Sequence, residues 1–190
     1  MSKGIRDGVY GPRGTYPSVD EVHAICEASS NQYAIDCGPN RVFVEVGSAL
    51  GMVSLYAASR GMRVFAFDPL LPKIERLRES QCLNGVWSCF RANVSVAECI
   101  QVPSRWGNFS PGRFNSFWNL VGSYSSSDGI VVESEPGNFA ATMRGGGSVR
   151  AAVRMVTIDQ DVDGDIELLL LTCQGFEFDV RSGFYLTPVG

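Results

Sequence analysis

Two acidic residues and two glycines form the pattern in this sequence that is best suited to chemistry. Glu45 lies near the end of one short apolar run and Asp68 ends another, while Gly47 and Gly51 follow the first run four positions apart. Carboxylates accept hydrogen bonds from hydroxyl and ammonium groups, and glycines let a backbone come close to a ligand. The spacing therefore predicts a site for a nucleotide or for another nucleoside-bearing cofactor.

The elements that must position these residues form one strand–helix–strand unit. Residues 42–47 and 63–68 are apolar runs typical of strands buried on both faces, and residues 52–60 between them are compatible with a helix. The free N–H groups at the start of that helix, near Gly51, point at whatever lies beyond the first strand. The alternative, a unit that binds no ligand, stays open.

The rest of the chain predicts a single α/β domain. Residues 1–17 hold four glycines and two prolines and predict an irregular N-terminal arm, so the domain covers residues 18–190. Ser18 or Asp20 is suited to cap the first helix. Helices are predicted over residues 19–29, 71–84 and 176–181, and strands over 87–93, 97–102, 116–121, 129–133, 150–158 and 168–173.

Composition excludes several classes of protein. A hydrophobic fraction of 45%, a charged fraction of 19% and a net charge of −4 indicate a globular protein and no nucleic-acid groove. No apolar run approaches the roughly 20 residues of a membrane span, and no secretory leader is evident. We therefore expect a soluble protein without a membrane span.

The six cysteines argue against a zinc site. No pair has Cys-x-x-Cys spacing and His23 is the only histidine. Thiols in apolar surroundings behave as small hydrophobes, which favours free cysteines and a reducing compartment. The cytoplasm, or an organelle interior after removal of a transit peptide, fits this expectation.

The acidic segment after residue 158 partly matches a calcium loop. Asp159, Asp161, Asp163 and Gly164 have the spacing of its first half, but the twelfth position, which requires a bidentate glutamate, is Leu170. A solvated acidic turn is favoured, with calcium binding by the three aspartates as the weaker alternative.

Several blocks in order resemble the FkbM-like family of S-adenosylmethionine-dependent methyltransferases. The first is Val44-Glu-Val-Gly-Ser-Ala-Leu-Gly51, where the family has an acid followed by Val-Gly-Ala-Asn-x-Gly. The others are Val64 to Pro69, Ile74 to Gly85, Val153 to Asp159 and Ile166 to Glu177. The Glu-x-Gly-x-x-x-Gly spacing also differs from the Gly-x-Gly-x-x-Gly of nucleotide-dependent oxidoreductases, which disfavours that class.

The resemblance implies a Rossmann-like methyltransferase sheet, mostly parallel with helices on both faces and with an inserted β-rich middle. It implies S-adenosylmethionine as cofactor and, if the protein is active, methyl transfer to a hydroxyl oxygen. The implied cofactor residues are Glu45, Gly47, Ser48 and Gly51 around the methionine end, Asp68 at the ribose and Asn93 near the adenine.

Three departures from the family pattern are concentrated in the last block. Leu170 replaces the usual lysine, Thr172 the usual aspartate and Gln174 the usual glutamate. This leaves the catalytic residue unknown, with Thr172 and Glu177 as weak candidates, because a general base near neutral pH requires a titratable group.

Few residues follow Cys173, so the sheet is expected to be truncated after its fourth core strand. The strand Leu168–Leu171 would then have an exposed apolar edge, and such an edge favours coverage by a partner protein. The alternative function is therefore a catalytically degenerate methyltransferase fold, with its cofactor lost, that serves as a structural subunit of a larger assembly.

Overall fold

A computed structural model describes residues 4–10, 18–27, 35–84, 114–134, 149–173, 176–183 and 187–188 of the chain. The helices within these residues are α1 (Val19–Glu27), α2 (Met52–Ser59), α3 (Leu71–Leu83), α4 (Ile158–Asp161) and α5 (Glu177–Ser182). The strands are β1 (Gly4–Tyr10), β2 (Val42–Val46), β3 (Arg63–Asp68), β4 (Phe114–Trp118), β5 (Leu120–Val121), β6 (Ser126–Ser134), β7 (Val149–Val156), β8 (Ile166–Leu171) and β9 (Thr187–Pro188).

The main sheet has six strands in the order β4-β3-β2-β8-β1-β9, and every described pair in it is parallel. A second sheet has the order β5-β7-β6, with β6 and β7 antiparallel. In a parallel sheet the carboxyl ends of the strands meet at one edge, and ligands of α/β proteins bind there. The protein therefore has an α/β fold with a mostly parallel central sheet.

The central strands are buried on both faces. Val44 and its neighbours Val42 and Val46 pack in a cluster with residues of α4 and α5, whereas Phe43, one position along the strand, packs with α1, α2 and α3. Side chains alternate across a strand, so a continuous apolar run is required when helices cover both faces. This packing confirms the interpretation of the apolar runs at β2, β3 and β8.

The first strand corrects two expectations. Residues 4–10 form β1, which pairs in parallel with β8 from Ile5–Ile166 to Tyr10–Leu171, so an irregular arm is wrong for these residues. The expected exposed edge at Leu168–Leu171 is also wrong, because β8 lies between β2 and β1. Truncation after the fourth core strand is likewise wrong, since β1 and β9 extend the sheet. β1 supplies from the same chain the pairing that had been assigned to a partner protein.

At the other edge of the main sheet, the strand beside β3 is β4, Phe114–Trp118, which overlaps the strand predicted at 116–121. The strands predicted at 87–93 and 97–102 lie outside the described residues. In the described part of the chain, no helix combines the length and the apolar character needed to cross a membrane.

Two of the cysteines are not free thiols. Cys26 and Cys37 form a disulfide, and both are buried in the cluster that also contains Phe43. The expectation of free thiols is therefore wrong for this pair. Cys173 is a free thiol, half-buried next to the other cluster.

Candidate functional site

The turn after β2 lies at the carboxyl edge of the main sheet and has a left-handed backbone at three positions. Gly47, Ala49 and Gly51 have φ values of 87°, 49° and 72°. The N–H groups of Gly47 and Ser48 donate to the Phe67 carbonyl oxygen at 2.8 and 3.0 Å, which fastens the turn to the end of β3. Glycine is favoured at such positions because it has no Cβ to collide with the backbone.

Gly47 also allows β2 and β8 to approach closely at their carboxyl ends. A Cβ at this position would lie 2.6 Å from the Thr172 carbonyl oxygen. The Thr172 N–H donates to the Val46 carbonyl oxygen at 2.9 Å, and its hydroxyl lies 2.8 Å from the Gly47 carbonyl oxygen and 3.2 Å from that of Val46. Thr172, a catalytic candidate from sequence, therefore uses its hydroxyl to hold the two strand ends together.

Glu45 is a buried carboxyl group at the beginning of α2. Ser54, the third residue of that helix, donates to it through both its hydroxyl and its backbone N–H. The residues paired with Glu45 on the neighbouring strands are Ala66 and Leu170, which carry no charge. Burial raises the pKa of Glu45 to about 8, while the bonds from Ser54 lower it and Asp68 raises it slightly further. Glu45 is therefore mostly protonated at neutral pH.

Asp68 ends β3 and joins three segments. Its carboxylate accepts from the N–H of Ala49 at 3.0 Å and from the N–H of Leu70 at 2.9 Å. The ammonium group of Lys73 lies 3.5 Å away, and the side chains of both charged residues are almost fully buried. Burial raises the pKa of Asp68, against the lowering effects of Lys73 and the two N–H donors.

Ser48 is a buried polar residue of this turn. Its hydroxyl oxygen is inaccessible to solvent and has no hydrogen-bond partner among the residues that the structure describes. The neighbouring residues Leu50 and Met52 are exposed, at 45% and 66%. Unpaired buried hydroxyls are uncommon in folded proteins, so Ser48 retains capacity for one further contact in the turn.

The remaining residues singled out from sequence are placed less favourably. Glu177 begins the short helix α5, where its charge contributes to raising the pKa of Cys173 to about 12, although burial of the thiol is the larger cause. Cys173 is therefore protonated at neutral pH. Asn93 and Gln174 lie outside the described residues.

Within the described residues, no group of three or more His, Cys, Asp or Glu side chains is arranged to hold a metal ion, so the calcium alternative gains no support there. Asp159 and Asp161 lie in the helical turn α4, and the Asp163 carboxylate accepts from Arg63 at 2.6 Å.

Several residues of this site were not predicted from sequence. Ser54 and Lys73 satisfy the two acids, and Ala49 adopts a left-handed conformation that favours glycine or asparagine. Ser54 lies nine positions after Glu45, and Lys73 lies five positions after Asp68. This spacing is visible in the sequence, but it indicates a contact only once the geometry of the helices is known.

In comparisons of the chain with protein-family models, with curated proteins and with solved structures, no match is found. The case for a function therefore depends on the geometry of this site.

Proposed function

We propose that the chain binds S-adenosylmethionine at the carboxyl ends of β2 and β3, on a Rossmann-like methyltransferase sheet with an inserted β-rich middle. If the protein is active, it transfers the methyl group to a hydroxyl oxygen. The proposal is supported by the way that Glu45, the turn from Gly47 to Gly51 and Asp68 come together at one edge of the sheet.

The observation that carries the proposal is the position of the Glu45 carboxyl group at the start of α2. A nucleotide that bears a phosphate usually places that anion against the free N–H groups of this helix start. Here the carboxyl group already accepts from the Ser54 N–H and hydroxyl. S-adenosylmethionine carries a sulfonium and an ammonium group and no phosphate, so it suits a helix start that an acid occupies.

Asp68 retains capacity for a ribose hydroxyl. A carboxylate offers about four acceptor positions. Ala49 and Lys73 contact Oδ2, whereas Leu70 is the one described residue that donates to Oδ1. The remaining acceptor position on Oδ1 suits one hydroxyl donor. Because the Asp68 side chain is almost fully buried, a ligand hydroxyl reaches it only when the turn from Gly47 to Gly51 shifts.

A specific observation favours the second candidate, a catalytically degenerate methyltransferase fold that serves as a structural subunit. The end of β8 presents Leu170 beside Glu45, and the Thr172 hydroxyl is engaged by the β2 carbonyl oxygens. Neither side chain is available as a base. The two candidates share a fold and differ in whether the site binds a cofactor.

Calorimetric titration with S-adenosylmethionine separates them. We expect binding heat with this ligand and none with NAD or ATP at the same concentration. Replacement of Glu45→Gln weakens binding, whereas the control Glu79→Gln, an exposed acid paired with Arg76 on α3, leaves it unchanged. Thermal melting of each variant verifies that it is folded. No heat at millimolar S-adenosylmethionine with folded protein excludes the cofactor proposal and favours the structural subunit.

A further inference from the structure

The disulfide between Cys26 and Cys37 joins two segments that differ in how firmly they are held. Cys26 lies in the last turn of α1, and Cys37 lies in the segment that leads into β2. Both side chains are buried, at 8% and 5% exposure, in the cluster that packs beneath α1 and α2. The bond is thus a covalent tie between a peripheral helix and the core.

The segment around Cys37 is anchored at the amino edge of the sheet. The Asp36 N–H donates to the Glu167 carboxylate on β8 at 3.0 Å, and the Asp36 side chain accepts from Arg41 at 2.7 Å and from the Gly38 N–H at 2.9 Å. This end of the disulfide is held independently of α1.

The other contacts of α1 are weaker. His23 Nδ1 lies 2.6 Å from the Tyr56 hydroxyl, and Glu27 forms an ion pair with Arg60 at 2.8 Å, both at the surface of α2. Both contacts are exposed to solvent, which weakens them. Val22 is the other fully buried side chain described for this helix, and an isolated helix of nine residues is marginal in water.

We propose that oxidation of Cys26 and Cys37 is the step that docks α1 on the core, so that the chain reaches its fully packed state in an oxidising compartment. Two thiols lose two protons and two electrons as the S–S bond forms. A small disulfide such as oxidised glutathione takes them up and leaves as two thiols. The proposed oxidising compartment differs from the reducing compartment expected from sequence, and the inference does not depend on the proposed cofactor.

The size of the effect follows from the short loop that the bond closes. With a sequence separation of 11, closure of the loop restricts the unfolded segment and shifts its docking equilibrium by on the order of a hundredfold. The strands β2, β3 and β8 have their own pairing and do not need the bond.

Hydrogen exchange of the full chain, oxidised and after complete reduction verified by intact mass, tests the proposal. We expect the amides of α1 to lose about a hundredfold of protection on reduction, while those of β2, β3 and β8 keep theirs. The double variant Cys26→Ala/Cys37→Ala shows the low α1 protection with or without reductant. Cys173→Ala, which removes a half-buried free thiol, behaves like the unsubstituted chain.

Three outcomes overturn the proposal. One is unchanged α1 protection after full reduction. A second is equal loss of protection in the strands, which assigns the bond to the whole fold rather than to α1. The third is peptide mapping that finds Cys26 and Cys37 as free thiols in protein produced in an oxidising secretory compartment.

Discussion

The carboxyl ends of β3 and β8 lie on either side of β2. Each is joined to the turn after β2, but by a different kind of interaction. At the end of β3, Asp68 accepts from the Ala49 N–H of the β2 turn and from the Leu70 N–H, and forms a buried ion pair with Lys73 of α3. At the end of β8, the neutral Thr172 joins the same β2 turn through its backbone and hydroxyl.

This difference indicates where charge is tolerated at this edge. Burial raises the pKa of Asp68, and Lys73 and two N–H donors lower it against that effect. At Glu45 burial raises the pKa to about 8, and the hydrogen bonds from Ser54 lower it without the help of a cation. Leu170 is the register partner of Glu45 on β8 and brings no charge beside its carboxyl group.

The largest expected effect concerns the end of β3, where the charged residues Asp68 and Lys73 lie in contact. Asp68→Ala leaves the Lys73 ammonium group buried without its partner, which we expect to destabilise the fold by about 3–5 kcal/mol. Denaturant unfolding measures this loss. The double variant Asp68→Asn/Lys73→Met is expected to recover most of it, because no uncompensated charge remains. A single variant with unchanged stability contradicts the assignment of a buried ion pair.

The next effect concerns the close approach of β2 and β8. Gly47→Ala combines a left-handed φ of 87° with a Cβ 2.6 Å from the Thr172 carbonyl oxygen, and we expect a loss of about 2–4 kcal/mol. Gly61→Ala is the matched control, since its φ is 90° but its nearest contact is Pro39 at 3.3 Å. We expect the control to lose about 1–2 kcal/mol. Equal losses contradict a role for the close approach.

Glu45 gives the stability a dependence on pH with a defined sign. Its folded pKa of about 8 exceeds the ordinary value of 4.5, so between these pH values the folded state binds more protons and stability falls as pH rises. Glu45→Gln is expected to reduce the slope by about one proton, or about 1.4 kcal/mol per pH unit. Unfolding midpoints measured across this range test the sign, and an unchanged slope contradicts it.

Leu170→Lys tests the link between the two regions by placing an ammonium group beside Glu45. We expect the pKa of Glu45 to fall, as followed by carbon NMR of its carboxyl group, whereas Leu170→Met leaves the pKa high. A Glu45 pKa that stays high in the folded lysine variant contradicts the role assigned to Leu170.

The smallest expected effect concerns the end of β8, where the neutral residue Thr172 lies. Thr172→Val keeps the shape of the side chain and removes the hydroxyl that bridges the β2 carbonyl oxygens, so we expect a loss of about 1 kcal/mol in denaturant unfolding. The dependence of stability on pH stays the same, because no titratable group is removed. A loss as large as that of Asp68→Ala contradicts the contrast between the two strand ends.

The sequence pattern predicts the elements whose bounds depend on local residue types. The apolar runs and caps place α2 and α3 within a residue or two of their observed bounds, and Ser18 caps α1, accepting from the Glu21 N–H at 3.2 Å. The segment from Gly4 to Tyr10 has glycines and charges that disfavour a strand, and only its pairing with β8 makes it one.

The candidate site likewise has residues whose placement the sequence predicts and partners that it does not predict. The placement of Glu45 and Asp68 at adjacent strand ends follows from the strand–helix–strand pattern. Their partners Ser54 and Lys73, and the engagement of Thr172 by β2, depend on helix rotation and strand register, which a single sequence does not determine. The disulfide was missed because the distance between Cys26 and Cys37 is set by the packing of α1.

The position of β1 has a consequence for how the protein is made. Ile5 pairs with Ile166, so the first strand leaves the ribosome long before its neighbour β8 exists. Contacts between residues so distant in sequence form slowly, because a long loop must close first. During synthesis β1 therefore lacks its neighbour β8, and β8, when it emerges, has its apolar edge open until β1 pairs with it. A chaperone that binds extended apolar segments has its best target in this interval.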